Sequence, residues 1–183
     1  MNPANRRPVH TRSIKIDAFV RDDDLWDLVA TLRDIKHHDI DLYGRTLPAG
    51  DALHDMEITL TLDHRLTIVA VQARTIAAPY MGECNTFSEV YQALVGLNLL
   101  QNFRGAVRER LGGTAGCTHI NELSALLPTA AIQSFSRDMD RPDIAADRMP
   151  AHLDRCRALR RDGPVVAKHY PRWQKIANQG DGS

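Results

Sequence analysis

Hydrophobic and polar residues alternate along much of the first half of the chain, and helical spacing takes over in the second. In residues 13–20, Ile14, Ile16 and Ala18 share one face while Lys15 and Asp17 share the other, the pattern of a half-buried strand. The acidic run Arg21-Asp22-Asp23-Asp24 then reads as a turn. Leu25 to Lys36 fits two templates. Leu25, Leu28, Val29, Leu32 and Ile35 make a helical stripe, whereas Trp26, Leu28, Ala30 and Leu32 alternate as in a strand. The strand is preferred, because a hairpin partner would cover the edge of the first strand and the next segment repeats that plan; the helix stays open. His37 to Leu53 carries Tyr43-Gly44 and Pro48-Ala49-Gly50 and reads as a loop. The clearest strand follows, with Met56, Ile58, Leu60 and Leu62 alternating with Glu57, Thr59 and Thr61. Asp63-His64-Arg65 turns it, and Leu66 to Thr75 returns.

Two hairpins in series leave one face of a sheet to be covered, and the helices come next. Thr86 and Glu89 have the spacing of a capping box, ahead of the stripe Phe87, Val90, Tyr91, Leu94 and Val95. Leu100, Phe103, Val107 and Leu111 predict a second helix that stops at Gly112-Gly113. A third should start near Thr118, bury Ile120, Leu123 and Leu127, kink or restart at Pro128 and end near Phe135. From Ser136 to Pro150, Asp, Arg and Pro dominate, which reads as a linker. Leu153 to Arg161 predicts a short basic helix. The expected fold is therefore α+β, an antiparallel β-meander of about four strands covered by about three helices. Its domain spans residues 1–135, and residues 136–183 form a linker and basic C-terminal tail.

Charge changes this picture in one respect. Lys plus Arg and Asp plus Glu each number 23, so the net charge is zero with His neutral, which argues against nucleic acid or a polybasic membrane contact. The tie is a cancellation. Residues 136–183 hold 10 basic and 7 acidic residues, against 13 and 16 before them. Hydrophobic residues make up 43% of the chain, enough for a core. No apolar run approaches the length of a membrane span, and Arg6-Arg7 have no apolar stretch behind them, so a cytoplasmic protein without a secretory signal is expected. The three cysteines, an odd count at wide spacing, read as reduced thiols.

The segment Gly112-Gly113-Thr114-Ala115-Gly116-Cys117-Thr118-His119 offers the most chemistry. It turns tightly into a helix that opens on Cys117 and His119, and a helix start favours a thiolate. A cysteine packed under the turn, with its histidine in solvent, is the bland reading. Cys84 also precedes a predicted helix, and His54-Asp55 precedes the clearest strand. One end of the sheet can bring these together, giving a candidate metal or thiol site from His54, Asp55, Cys84, Cys117 and His119. Such mixed thiolate and imidazole donors suit zinc or an iron–sulfur cluster better than magnesium or calcium. Without metal, the same pocket offers His54, Asp55, Tyr80 and His119 as acid and base. The tandem His37-His38 reads as solvated. The glycine-rich segment lacks the Gly-Lys-Ser/Thr ending of a P-loop.

The strings Val9-His10-Thr11-Arg12, His54-Asp55-Met56, Leu94-Val95-Gly96-Leu97 and Gly116-Cys117-Thr118-His119 resemble an uncharacterised bacterial family, a domain of unknown function, from about Arg7 to Trp173. That resemblance implies a small-molecule enzyme, loosely associated with breakdown of aromatic compounds. A more distant resemblance is to the NifU-like iron–sulfur scaffold. It rests on Asp55 to Leu60, the Asp63-His64-Arg65 turn, Leu66 to Thr75, Cys84 opening a helix and Cys117 before the last one. The scaffold's first cysteine has no counterpart in Ala52-Leu53-His54. The departure implies zinc, or a site turned to catalysis, in place of cluster transfer. The sequence fits three functions: a Cys/His/Asp metal or thiol site, any catalysis by it falling on a small aromatic molecule; a metal-free lyase-type acid–base enzyme; and a non-catalytic partner module. A homo-oligomer is compatible with each.

Overall fold

The structure, a computed structural model, describes residues 4–139 and 148–175, the side chains of 137–139 excepted. Alternation prevails where it was read. Strands β1 (His10–Val20), β2 (Trp26–Lys36), β5 (Ala52–Leu62) and β6 (Ile68–Ala77) form one antiparallel sheet in the order β1-β2-β5-β6. Leu25–Lys36 is thus a strand, with Trp26, Leu28, Ala30 and Leu32 on the buried face. The expected loop His37–Leu53 is not all irregular. It holds a small hairpin of β3 (Ile40–Leu42) and β4 (Arg45–Leu47), turned by Tyr43 and Gly44, both at positive φ. β5 also begins earlier than predicted, at Ala52, so His54 and Asp55 lie within the strand.

Helix α1 spans Phe103–Leu111 and α2 spans Thr118–Met139. Phe103, Val107 and Leu111 are buried on α1, as are Ile120, Leu123, Leu127 and Ala131 on α2, the spacing that gives a helix one apolar face. Pro128 neither ends nor restarts α2, which runs through it. The capping box fails. Ser88–Leu94 is a 3-10 helix without a side-chain cap, and Thr86 Oγ1 donates instead to the Glu83 carbonyl, 2.7 Å away. The local hydroxyl bond outcompetes the cap.

The chain divides into two compact units, Met1–Ala131 and Ile132–Ser183. In the second, Leu153–Arg161 forms turns where a helix was expected; Asp154 sits at φ 57°, and its carboxylate accepts the Arg161 amide at 2.8 Å. The short α3 (Pro164–His169) and a 3-10 turn (Pro171–Trp173) follow, and Arg161 Nε donates to the Trp173 carbonyl at 2.7 Å. Part of the expected linker lies outside the described residues. Among the described residues, no helix is long and apolar enough to cross a membrane.

Candidate functional site

The apolar stripe of β2 ends on a carboxylate. Trp26, Leu28, Ala30 and Leu32 alternate into the core, and the next position of the same phase is Asp34, whose residue surface is 2% exposed. On β5, Met56, Ile58, Leu60 and Leu62 share a phase with His54. The ladders pair Arg12 with Asp34 and Asp34 with His54, so cation, carboxylate and imidazole form one row across β1, β2 and β5. His10 lies two residues from Arg12 on the same face. The first turn of α2 meets this end of the sheet. The His119 and His54 rings lie 4.0 Å apart between centroids, and Arg12 Nη1 donates to Glu122.

A buried carboxylate requires compensation, and Asp34 receives it in full. Arg12 Nε donates to Oδ1 and Nη2 to Oδ2, both at 2.8 Å, a two-pronged pairing. His10 Nε2 lies 3.1 Å from Oδ1 and His54 Nδ1 lies 3.1 Å from Oδ2. Burial alone would raise the Asp34 pKa, but the Arg12 hydrogen bonds and charge, helped by His54, bring it down from 3.8 to about 2. Asp34 is therefore an anion that only accepts, so His54 carries its hydrogen on Nδ1 and leaves Nε2 with a lone pair. His119 Nε2 faces the same carboxylate at 3.9 Å, and its Nδ1 faces the Cys117 thiol at 3.8 Å.

Both imidazoles titrate below the ordinary 6.5. Burial is the main cause for each; His119 adds to it for His54, and Arg12 for His119. Asp34 pulls the other way without prevailing. The unfolded chain thus binds protons that the folded rings refuse, so stability rises with pH below about 6.5 and through the folded pKa values. The urea midpoint should be higher at pH 7.5 than at pH 5.5, and the gap should narrow in His54→Gln. An equal gap in the variant would assign the dependence elsewhere. The charged groups bearing on these rings are Asp34, Arg12 and Glu122.

Of the residues singled out in the sequence, His54 and His119 come together, with Cys117 alongside. The Cys117 backbone is held by the buried Tyr91, whose hydroxyl accepts its amide at 2.9 Å and lies 3.1 Å from its carbonyl. Gly116 allows this approach, since a Cβ there would fall 2.7 Å from the Leu111 carbonyl oxygen. Asp55 alternates to the opposite face of β5, where its carboxylate lies 3.6 Å from Arg33. Tyr80 hydrogen-bonds Tyr43 between hydroxyls at 2.6 Å, and that bond raises its pKa. Cys84 is half-buried and its carbonyl accepts Thr75 Oγ1; Cys156 is exposed in the second unit. The residue that sequence reasoning passed over is Asp34, together with Arg12 and His10.

Asp34, His54 and His119 each offer a ligand atom within 4.8 Å of the others, a grouping compatible with a metal ion. The fold and the site together define a small α+β protein with a buried Asp–His centre at one end of its sheet. The chain belongs to the family described as "Protein of unknown function (DUF2889)", whose family model matches residues 10–133. Every strand and all of the Asp34 cluster lie within that span. No curated protein and no solved structure matches the chain, so the likeness to the NifU-like scaffold rests on its quoted residues alone.

Proposed function

We propose that the protein is an acid–base catalyst of a small molecule, with His54 as the general base, Asp34 as its positioning residue and His119 as the second proton-handling group. One observation carries this reading. Arg12 Nε, Arg12 Nη2, His10 Nε2 and His54 Nδ1 supply four donors to Asp34, which matches the roughly four acceptor directions of a carboxylate. A metal on Asp34 would have to displace one of them and sit beside a guanidinium. Acid–base chemistry uses the arrangement as it stands. His54 Nε2 takes a proton from the substrate while Asp34 stabilises the imidazolium through Nδ1–H. The ring contact with His119 then disfavours a second charge, so one proton at a time occupies the pair. Proton abstraction of this kind is the first half of a lyase-type elimination, and the aromatic substrate implied by the family resemblance suits it. Asp55 and Tyr80, on other partners, have no part in this centre.

The test is imidazole NMR on the full chain against pH. His54 should show the Nδ1–H tautomer and a midpoint below 6.5, and Asp34→Asn should abolish the tautomer preference. A proton on Nε2 at neutral pH would sink the reading. A second reading is zinc held by Asp34, His54 and His119 with one open position, favoured by the proximity of the three ligand atoms. About one equivalent of zinc retained through dialysis, and lost in both His54→Gln and His119→Gln, would select it over the first.

A further inference from the structure

A cavity of about 370 Å³ lies between α1 and α2, close to the Asp34 cluster yet outside it. Its walls include Arg104, Val107, Arg108, Gly113, Glu122 and Ala125. The volume suits a small organic molecule. Charge narrows the class. Glu122 also lines the cavity and pairs with Arg12, but Arg12 is bound to Asp34 as well, so one guanidinium serves two carboxylates and Glu122 keeps part of its negative charge. Arg104 is fixed in place, with Nε donating to the Ala125 carbonyl at 2.7 Å and Nη2 lying 3.4 Å from Thr129 Oγ1, and neither partner carries charge. Arg108 has no carboxylate partner among the described residues. Two guanidinium groups against the single carboxylate of Glu122 therefore leave this mostly carbon-lined space with a surplus of positive charge.

We infer that this cavity binds a small carboxylate with an apolar body, the carboxylate paired to Arg108 and the body seated between Val107 and Ala125. A guanidinium pairs with carboxylate in a planar fork and its face packs on a flat ring, so an aryl carboxylate satisfies both walls. Cavity and centre share Glu122, and His119 sits three residues before it on α2, one turn away. That the bound anion is the substrate rests on the acid–base reading; that it binds there does not.

Benzoate is the probe, with benzamide as its uncharged counterpart and inorganic phosphate as a bare anion, each titrated into the full-length protein by calorimetry and amide NMR. Benzoate should bind and shift the amides of Arg108, Thr118 and Ala125, benzamide and phosphate should bind at least tenfold more weakly, and Arg108→Gln should cost benzoate tenfold or more. Ala125→Trp, which fills the space from the opposite wall, should also abolish binding. Both variants should keep the wild-type circular dichroism spectrum, as both positions are at least partly exposed. His54→Gln should bind benzoate as the wild type does, so a failed acid–base reading and a failed anion site give different results. No benzoate binding, equal binding of benzamide or phosphate, or unchanged affinity in Arg108→Gln overturns the inference.

Discussion

Replacing Arg12 by alanine is expected to destabilise the protein by about 2–3 kcal/mol at neutral pH, whereas Glu122→Ala, at the other end of the same guanidinium, should cost under about 0.5 kcal/mol. The asymmetry comes from burial. The Asp34 side chain is 2% exposed and that of Glu122 49%, so losing Arg12 strands a carboxylate in the core, while losing Glu122 leaves Arg12 paired to Asp34 with only Nη1 turned over to water. The pKa of Asp34 gives a second estimate. Lowering it from 3.8 to about 2 corresponds to about 2 kcal/mol for the sum of its favourable partners over the cost of burial. For a depressed carboxyl, that contribution is present above the unfolded pKa and lost as pH falls through the folded one. The deficit of Arg12→Ala should therefore be full at pH 7 and shrink between pH 4 and pH 2. Urea unfolding of both variants across this range is the measurement. Equal costs for the two, or a deficit that persists at pH 2, would show that the pairing with Asp34 is not what Arg12 contributes.

The site was legible in part, and the reason lies in how each residue was phased. His54 and His119 were found because histidine is conspicuous near a predicted strand and a predicted helix start. Asp34 was missed because Leu25–Lys36 fits helix and strand alike, and in a segment of uncertain period a carboxylate is assigned to solvent. Once the period is two, the series 26-28-30-32-34 points Asp34 into the core, and 54-56-58-60-62 does the same for His54. Two polar residues that are both in the apolar phase and paired across a ladder are a signal that residue type alone does not carry. Asp55 shows the converse. Its chemistry suited the site, but one residue of offset turns it to the other face. The cysteines attracted attention by rarity, and only Cys117 lies beside the cluster, placed there by Gly116 and Tyr91. The hairpin inside His37–Leu53 was hidden because its strands are three residues each, too short for alternation to register.

Leu60→Ala should destabilise the protein by about 3 kcal/mol, within the 2–5 kcal/mol usual when a fully buried leucine is truncated. Leu60 has no exposed surface and lies on β5, between Leu28 of β2 and Val71 of β6. Its removal opens space where three strands contribute side chains to the same layer. Val29→Ala on the neighbouring strand should cost less than about 1 kcal/mol, because Val29 faces the half-exposed side with Thr59 as its partner. Denaturant midpoints of the two variants measure which face of the sheet carries the core, and similar costs would contradict the alternation. The same variant separates stability from the site. Leu60 is six residues along the strand from His54, about 20 Å at the rise of an extended chain. While it remains folded, Leu60→Ala should therefore leave the His54 and His119 titrations where they are. Arg12→Ala, which costs a similar amount, should raise both midpoints, because it removes a positive charge that opposes protonation of each ring. A shift of the imidazole midpoints in Leu60→Ala would mean that the cluster follows global stability, and the local network of Arg12, Asp34 and His54 would then not account for it.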